Sequence, residues 1–171
     1  LGGGGRGRGL AGGEGGAVGA QVAGGGVTVS EMGECYLAME VGSAKLAAGI
    51  VAEDGEVLVR DRISTPARDV WPALARLVKR VQVSAPTTPV GCGIGCGGPA
   101  NPLEGTVSPL HIPSLEGFAL AAEMQSLTNL PTVVDNNAKA VALAEAWCGA
   151  AVGVSDFAAI SLGTGIGGGI V

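Results

Sequence analysis

The stretch VVDNNAKAVALAEAW, residues 133–147, sets the reading of the whole chain. Its Val-rich start is the end of a buried strand, and its Ala- and Leu-rich remainder is a helix, with no loop between them. Asn136 suits the N-cap, because its side-chain oxygen can accept an otherwise orphaned backbone N–H. A strand that turns straight into a helix aims the polar residues of the turn at a ligand. Asp135, Asn136 and Asn137 stand at that turn, and a proton-transfer enzyme needs an acid there.

Working outward, PTVVD is the strand, preceded by a short helix marked by Leu120, Met124 and Leu127 that stops before Pro131. Downstream, DFAAISL is a strand, GTG a turn, and IGGGIV the start of another strand. Upstream, VGCGIGC is a buried strand, followed by the Gly- and Pro-rich loop GGPANPLEGTVSPLHIPSLEG. Loops of that length without structure of their own are usually functional. Nearer the N-terminus, CYLAMEV, LAAGIVA and EVLVRDRI are three consecutive strands, the last two joined at Asp54-Gly55, a strong hairpin signal. A helix follows, with Asp69 as its cap, Pro72 in its first turn, and an apolar stripe of Val70, Leu74, Leu77, Val78 and Val81.

The composition agrees with α/β layering. Of the 171 residues, 47% are apolar and only 3% aromatic, so the core is aliphatic. The 32 glycines concentrate in the first 26 residues, which lack apolar periodicity and read as a disordered leader. That leader has no apolar run suited to a secretory signal, and nothing later reaches the ~18 uninterrupted apolar residues of a membrane span. The net charge of −5 argues against a nucleic-acid surface, and the short basic runs at Arg60, Arg62, Lys79 and Arg80 read as solvated faces. Cys35, Cys92, Cys96 and Cys148 form no CxxC pair. They are expected as free thiols in a reducing cytoplasm, the first three buried, with no metal site.

Two glycine-rich turns carry the chemistry: VGSAK at residues 41–45 and LGTGIGGG at residues 162–169. Glycine lets backbone amides approach a phosphate closely. The second formally matches G-x-G-x-x-G through Gly163, Gly165 and Gly168. A dinucleotide fingerprint needs a helix next, however, and β-like sequence follows instead.

The series of motifs, in order, resembles the ROK family of sugar kinases and sugar-responsive repressors. LAMEVGSAKLAAGIV resembles its first phosphate motif, D-x-G-G-T-K. GIGCGGPANPLEGTVSPLHIPSLEGFAL resembles its substrate loop, VVDNNAKAVALAEAW its N-D-A helix start, and SLGTGIGGGIV its second phosphate motif. The likeness is greatest to the glucokinase-type branch. It implies an actin-like, ribonuclease-H-like ATPase fold: a mixed sheet of three antiparallel hairpin strands plus parallel strands, with helices on both faces. Residues 1–33 would be the leader, 34–152 the N-terminal lobe, and 153–171 the start of a truncated second lobe. ATP and Mg²⁺ are implied, with a hexose such as glucose as the acceptor and a homodimer as a possible assembly. Glu40, Gly42, Ser43, Ala44 and Lys45 would face phosphate or its metal, as would Gly163, Thr164 and Gly165. Gly98, His111, Asn136 and Asn137 would face the sugar; for His111 a solvent-facing turn role stays open. Trp71 and Trp147 read as packing residues and Glu145 as an ion-pair partner.

The departures from the pattern are specific. Asn137 stands at the base position, where the family has Asp, and an amide has no useful basicity. Asp135 is the alternative acid, with its Cα roughly 6–7 Å away in extended geometry; otherwise it belongs to the strand end. Glu40 replaces Asp, Ser43 replaces Gly, with strain of about 1 kcal/mol expected if its φ is positive, and Ala44 replaces Thr. The family's downstream sugar contacts and zinc cluster have no counterpart in these residues. A kinase lobe with impaired catalysis is therefore the first expectation, and a non-catalytic sugar-binding pseudokinase module the alternative. A repressor fragment would need a DNA-binding domain before Cys35, where neither helices nor basic clusters are read. A truncated reading of a gene without independent function is a further alternative.

Overall fold

The computed structural model describes residues 33–163 and 165–171. The leader expected over residues 1–33 lies, except for Gly33, outside the described residues, as does Thr164. The first three strands are β1 (Cys35–Val41), β2 (Lys45–Ala52) and β3 (Val57–Ser64), paired antiparallel in sequence. Helix α1 (Val70–Val83) leads to β4 (Gly91–Cys96), which pairs parallel to β1. After a long connection, α2 (Leu120–Thr128) leads to β7 (Thr132–Asn136), parallel to β4. The sheet order is thus β3-β2-β1-β4-β7, which puts the C-terminal ends of β1, β4 and β7 on one edge.

Alternation on β1 explains the layering. Cys35, Leu37, Met39 and Val41 are buried in the same core as the α1 stripe, whose Val70, Leu74, Leu77, Val78 and Val81 are fully buried too. Helix α3 (Asn137–Cys148) covers the opposite face, where a Cβ on Gly95 would lie 3.5 Å from that of Asn137. Helices therefore flank both faces, as expected.

The connection between β4 and α2 has structure of its own, contrary to the reading as a plain loop. It holds a small hairpin of β5 (Ala100–Asn101) and β6 (Thr106–Val107), then a 3-10 turn over Pro113–Leu115. Val107, Ile112 and Leu115 join the main core, so the substrate-loop segment is anchored by its apolar side chains.

The last hairpin, β8 (Ala158–Leu162) and β9 (Ile166–Ile170), is a separate two-stranded sheet laid on α3. The contact depends on missing side chains. A Cβ on Gly167 would lie 2.8 Å from that of Ala138, and one on Gly169 2.7 Å from that of Ala142. Ile160, Leu162, Ile166 and Ile170 are exposed on this hairpin.

Three local expectations need correction. Asp69 holds the N-cap position of α1 but with a left-handed backbone (φ 56°), and its side chain makes no cap hydrogen bond. Caps normally use the extended region to reach the first amides. Trp147 is 49% exposed rather than packed, because it lies about 140° around the helix from the buried Ala142. Trp71 does pack, with its ring centroid 5.5 Å from that of Phe118. Glu145 forms no ion pair among the described residues; it accepts the backbone N–H of Ala150 at 2.7 Å and closes the end of α3.

Candidate active site

The β1–β2 turn is held from behind. Gly42 N–H donates to the carbonyl of Lys45 at 3.0 Å, and the carbonyl of Val41 accepts from Gly97 N–H at 3.0 Å. The carbonyls of Gly42 and Ala44 accept from Thr65, through its hydroxyl at 2.6 Å and its N–H at 3.1 Å. Among the described residues, the N–H groups of Ser43 and Ala44 donate to no protein acceptor. Ser43 has no positive φ, so the strain anticipated for replacing Gly there does not arise. Lys45 Nζ lies 3.1 Å from Glu40 Oε2, in a half-exposed ion pair.

Asn136 ends β7 and heads α3, its Oδ1 accepting from Ala138 N–H at 2.9 Å. That leaves the amide nitrogen free to approach Gly98, where an added Cβ would lie 2.5 Å from Nδ2. A side chain at 98 would therefore press on this amide, and the Asn136 side chain would have to shift. Gly98 in turn accepts from Leu110 N–H at 3.4 Å, which folds the His111 segment over the same edge.

These pieces surround one cleft of about 560 Å³. Glu40, Gly42, Ser43, Ala44 and Lys45 line one wall, Gly98 and His111 another, and Asn136 and Asn137 the floor between them. Gly163 and Gly165 line it from the β8–β9 turn, which closes through Gly163 N–H donating to Gly165 O at 2.9 Å. Every described residue singled out for the site thus borders a single cavity. The lining residues that were not singled out include Leu110 and Ser161. Leu110 is 79% exposed, and an apolar loop residue beside His111 was the available signal.

Asp135 is elsewhere. Its Oδ1 accepts from Asn136 N–H at 2.6 Å and pairs with Lys139 Nζ at 3.2 Å. It lines a second, more apolar cavity of about 650 Å³ between α3 and the sheet, and not the cleft. Asn137 borders both. The structure therefore assigns Asp135 to the strand end, the other reading of that residue.

The cysteines stay out of this chemistry. Burial pushes the Cys92 and Cys96 thiols up to about 12, with a smaller opposing effect of Thr132 on Cys92, and raises that of Cys35. Among the described residues no cluster of three or more His, Cys, Asp or Glu could hold a metal ion. No helix among them is long and apolar enough to cross a membrane.

Residues 36–171 match the ROK family. The chain is 34% identical over 140 residues to an N-acetylmannosamine kinase of Escherichia fergusonii, covering 79% of this chain and 46% of that protein. Among solved structures, it resembles a ROK family glucokinase from Streptomyces griseus in complex with glucose and AMPPNP. The TM-score is 0.71 at 30% identity, over 80% of this chain and 44% of that one. A ROK hexokinase from Thermus thermophilus gives a TM-score of 0.72 at 31% identity, over 80% and 46%. The chain spans about half the length of the curated relatives it matches. The α/β architecture is the actin-like ATPase fold that the motif series implied.

Proposed function

We propose, from the premise that this chain belongs to the ROK family, that its cleft binds ATP and a hexose for phosphoryl transfer, and that Asn137 leaves the transfer without its base. One observation carries the reading: both glycine turns, the Asn136 helix start and the 97–112 loop border one cleft.

The residues present fit a nucleotide tail. The amides of Ser43 and Ala44 are uncommitted among the described residues, Lys45 adds a cation, and Gly163 and Gly165 have no neighbour within 4 Å of an added Cβ. Such an amide concavity favours anions. Glu40 is the carboxylate at the cleft able to face Mg²⁺ or its water shell. When bound with Mg²⁺, ATP supplies the phosphoryl group and the metal neutralises charge on the phosphate oxygens. On the sugar side, Asn136 offers its free amide N–H to a hydroxyl, with Gly98 leaving room and His111 lining the far wall. Asn137 can orient the attacking hydroxyl by hydrogen bonding but cannot take its proton. Residues 34–152 then form the first lobe, and residues 153–171 begin the second.

The expected behaviour is binding with little turnover. Calorimetry with ATP and Mg²⁺, and separately with glucose and N-acetylmannosamine, should show nucleotide binding and binding of at least one sugar. A coupled assay should show slow or no ADP release. Failure of both ligands to bind would overturn the reading. Asn137 favours a second reading of the same site, a sugar-binding pseudokinase module, in which a sugar binds and ATP does not.

A further inference from the structure

We propose that Thr65 is a positioning residue for the phosphate turn: it fixes the turn's carbonyls so that the turn's amides face the cleft. The inference rests on the nucleotide reading of that cleft.

Thr65 directly follows β3, the strand beyond β2, and belongs to none of the four motifs. Its hydroxyl donates to Gly42 O at 2.6 Å and its N–H to Ala44 O at 3.1 Å. One residue thus engages two carbonyls of the same four-residue turn. A peptide's N–H and C=O point in opposite directions, so the peptide carbonyls at Gly42 and Ala44 set where the N–H groups of Ser43 and Lys45 face. Thr65 does not line the cleft, so these two carbonyl oxygens are turned away from it, and the Ser43 N–H, uncommitted among the described residues, is turned toward it.

Pro66 strengthens the arrangement. A residue before proline is pushed to the extended region, which restricts the backbone of Thr65 before any contact forms. The hydroxyl bond is within the short range for O–H···O. Gly97 N–H on Val41 O fixes the turn's other end to the start of the sugar-side loop.

Thr65→Val keeps the shape and removes only the hydroxyl; Thr65→Ser restores it. Thr65→Ala carries the same test should valine not be accommodated. Hydrogen exchange over residues 42–45 and calorimetric binding of ATP, tripolyphosphate and glucose are compared with the unaltered chain. Expected for Thr65→Val are faster exchange in the turn and about three- to tenfold weaker ATP and tripolyphosphate binding. Glucose affinity should be unchanged, and serine should restore both effects. Unaltered exchange and unaltered ATP affinity would overturn the proposal, as would a parallel loss of glucose binding, which marks a general structural role. If the unaltered chain binds neither ATP nor tripolyphosphate, the nucleotide reading falls and the positioning role with it. The exchange comparison then reports only whether the hydroxyl holds the turn.

Discussion

Asn137 lies at the wall shared by the cleft and the apolar cavity beside α3, whereas Asp135, two residues earlier, lines only that cavity and is tied to Lys139 at 3.2 Å. The two acid-sized side chains at the head of α3 are therefore not interchangeable. A base must come within about 3 Å of the proton it removes, and positioned bases contribute roughly 10² to 10⁴ in rate. Asn137→Asp should raise hexose-dependent ADP release by a factor in that range. Asp135→Asn should leave the residual rate unchanged within about twofold, since at most a half-exposed pair is lost. A coupled assay of both variants decides it; equal effects would mean that Asn137 does not occupy the reacting position.

The Lys45–Glu40 pair separates binding from stability. Its side chains are 53% and 41% exposed, and such pairs contribute about 1 kcal/mol or less. Lys45→Ala should shift the unfolding midpoint little. The same substitution removes the only cation lining the described cleft. Hydrogen bonds to charged groups are worth about 1.5–3 kcal/mol, so ATP affinity should fall roughly 10- to 100-fold. Calorimetry beside chemical unfolding measures both. A large stability loss with unchanged ATP affinity would assign Lys45 to the fold instead.

The thiols give an alkaline signature. In the folded state Cys92 and Cys96 are raised from 9.0 to about 12 by burial. A raised thiol pKa means that the unfolded chain ionises first. The stabilisation is complete below about pH 9 and is lost progressively as pH rises toward about 12. Denaturant midpoints across that window should fall, and the fall should shrink in the Cys92→Ala, Cys96→Ala double variant. In the native state at neutral pH, a thiol reagent should label the exposed Cys148 and spare Cys35, Cys92 and Cys96.

Much of the core was legible because burial imposes periodicity. The Val70, Leu74, Leu77, Val78, Val81 stripe and the Asp54-Gly55 hairpin appear where the pattern puts them, since both follow from local geometry. The cleft was legible only through motif resemblance, because its walls come from segments about 25 to 120 residues apart in sequence and no local pattern reports their meeting. What escaped was set by long-range partners. Asp69 reads as a cap until its left-handed φ is seen, and the β5–β6 hairpin is hidden in a run whose composition signals only a loop. Thr65 carries no signature at all, as its two acceptors lie on another strand's turn.

The glycines of β9 make a final case in which sequence and packing point to different roles. IGGGIV reads as the tail of a phosphate motif, yet Gly167 and Gly169 are where the hairpin meets α3. An added Cβ at Gly169 would sit 2.7 Å from Ala142 Cβ, 2.9 Å from Ala138 O and 3.1 Å from Lys139 Cα. Two of those three are backbone atoms and cannot rotate away. At Gly168, between them, the only neighbour of an added Cβ is Ala159 O, at 3.6 Å. Overpacking typically costs about 1–3 kcal/mol, and a substitution without such a contact stays near 0.5 kcal/mol. Gly169→Ala should therefore loosen the hairpin from α3 while Gly168→Ala does not. Hydrogen exchange over residues 158–170 should rise in the first variant only. Because the same hairpin carries Gly163 and Gly165 to the cleft, ATP affinity should fall with it, and glucose affinity should hold. Equal exchange in the two variants would show that the glycines are not needed for the contact.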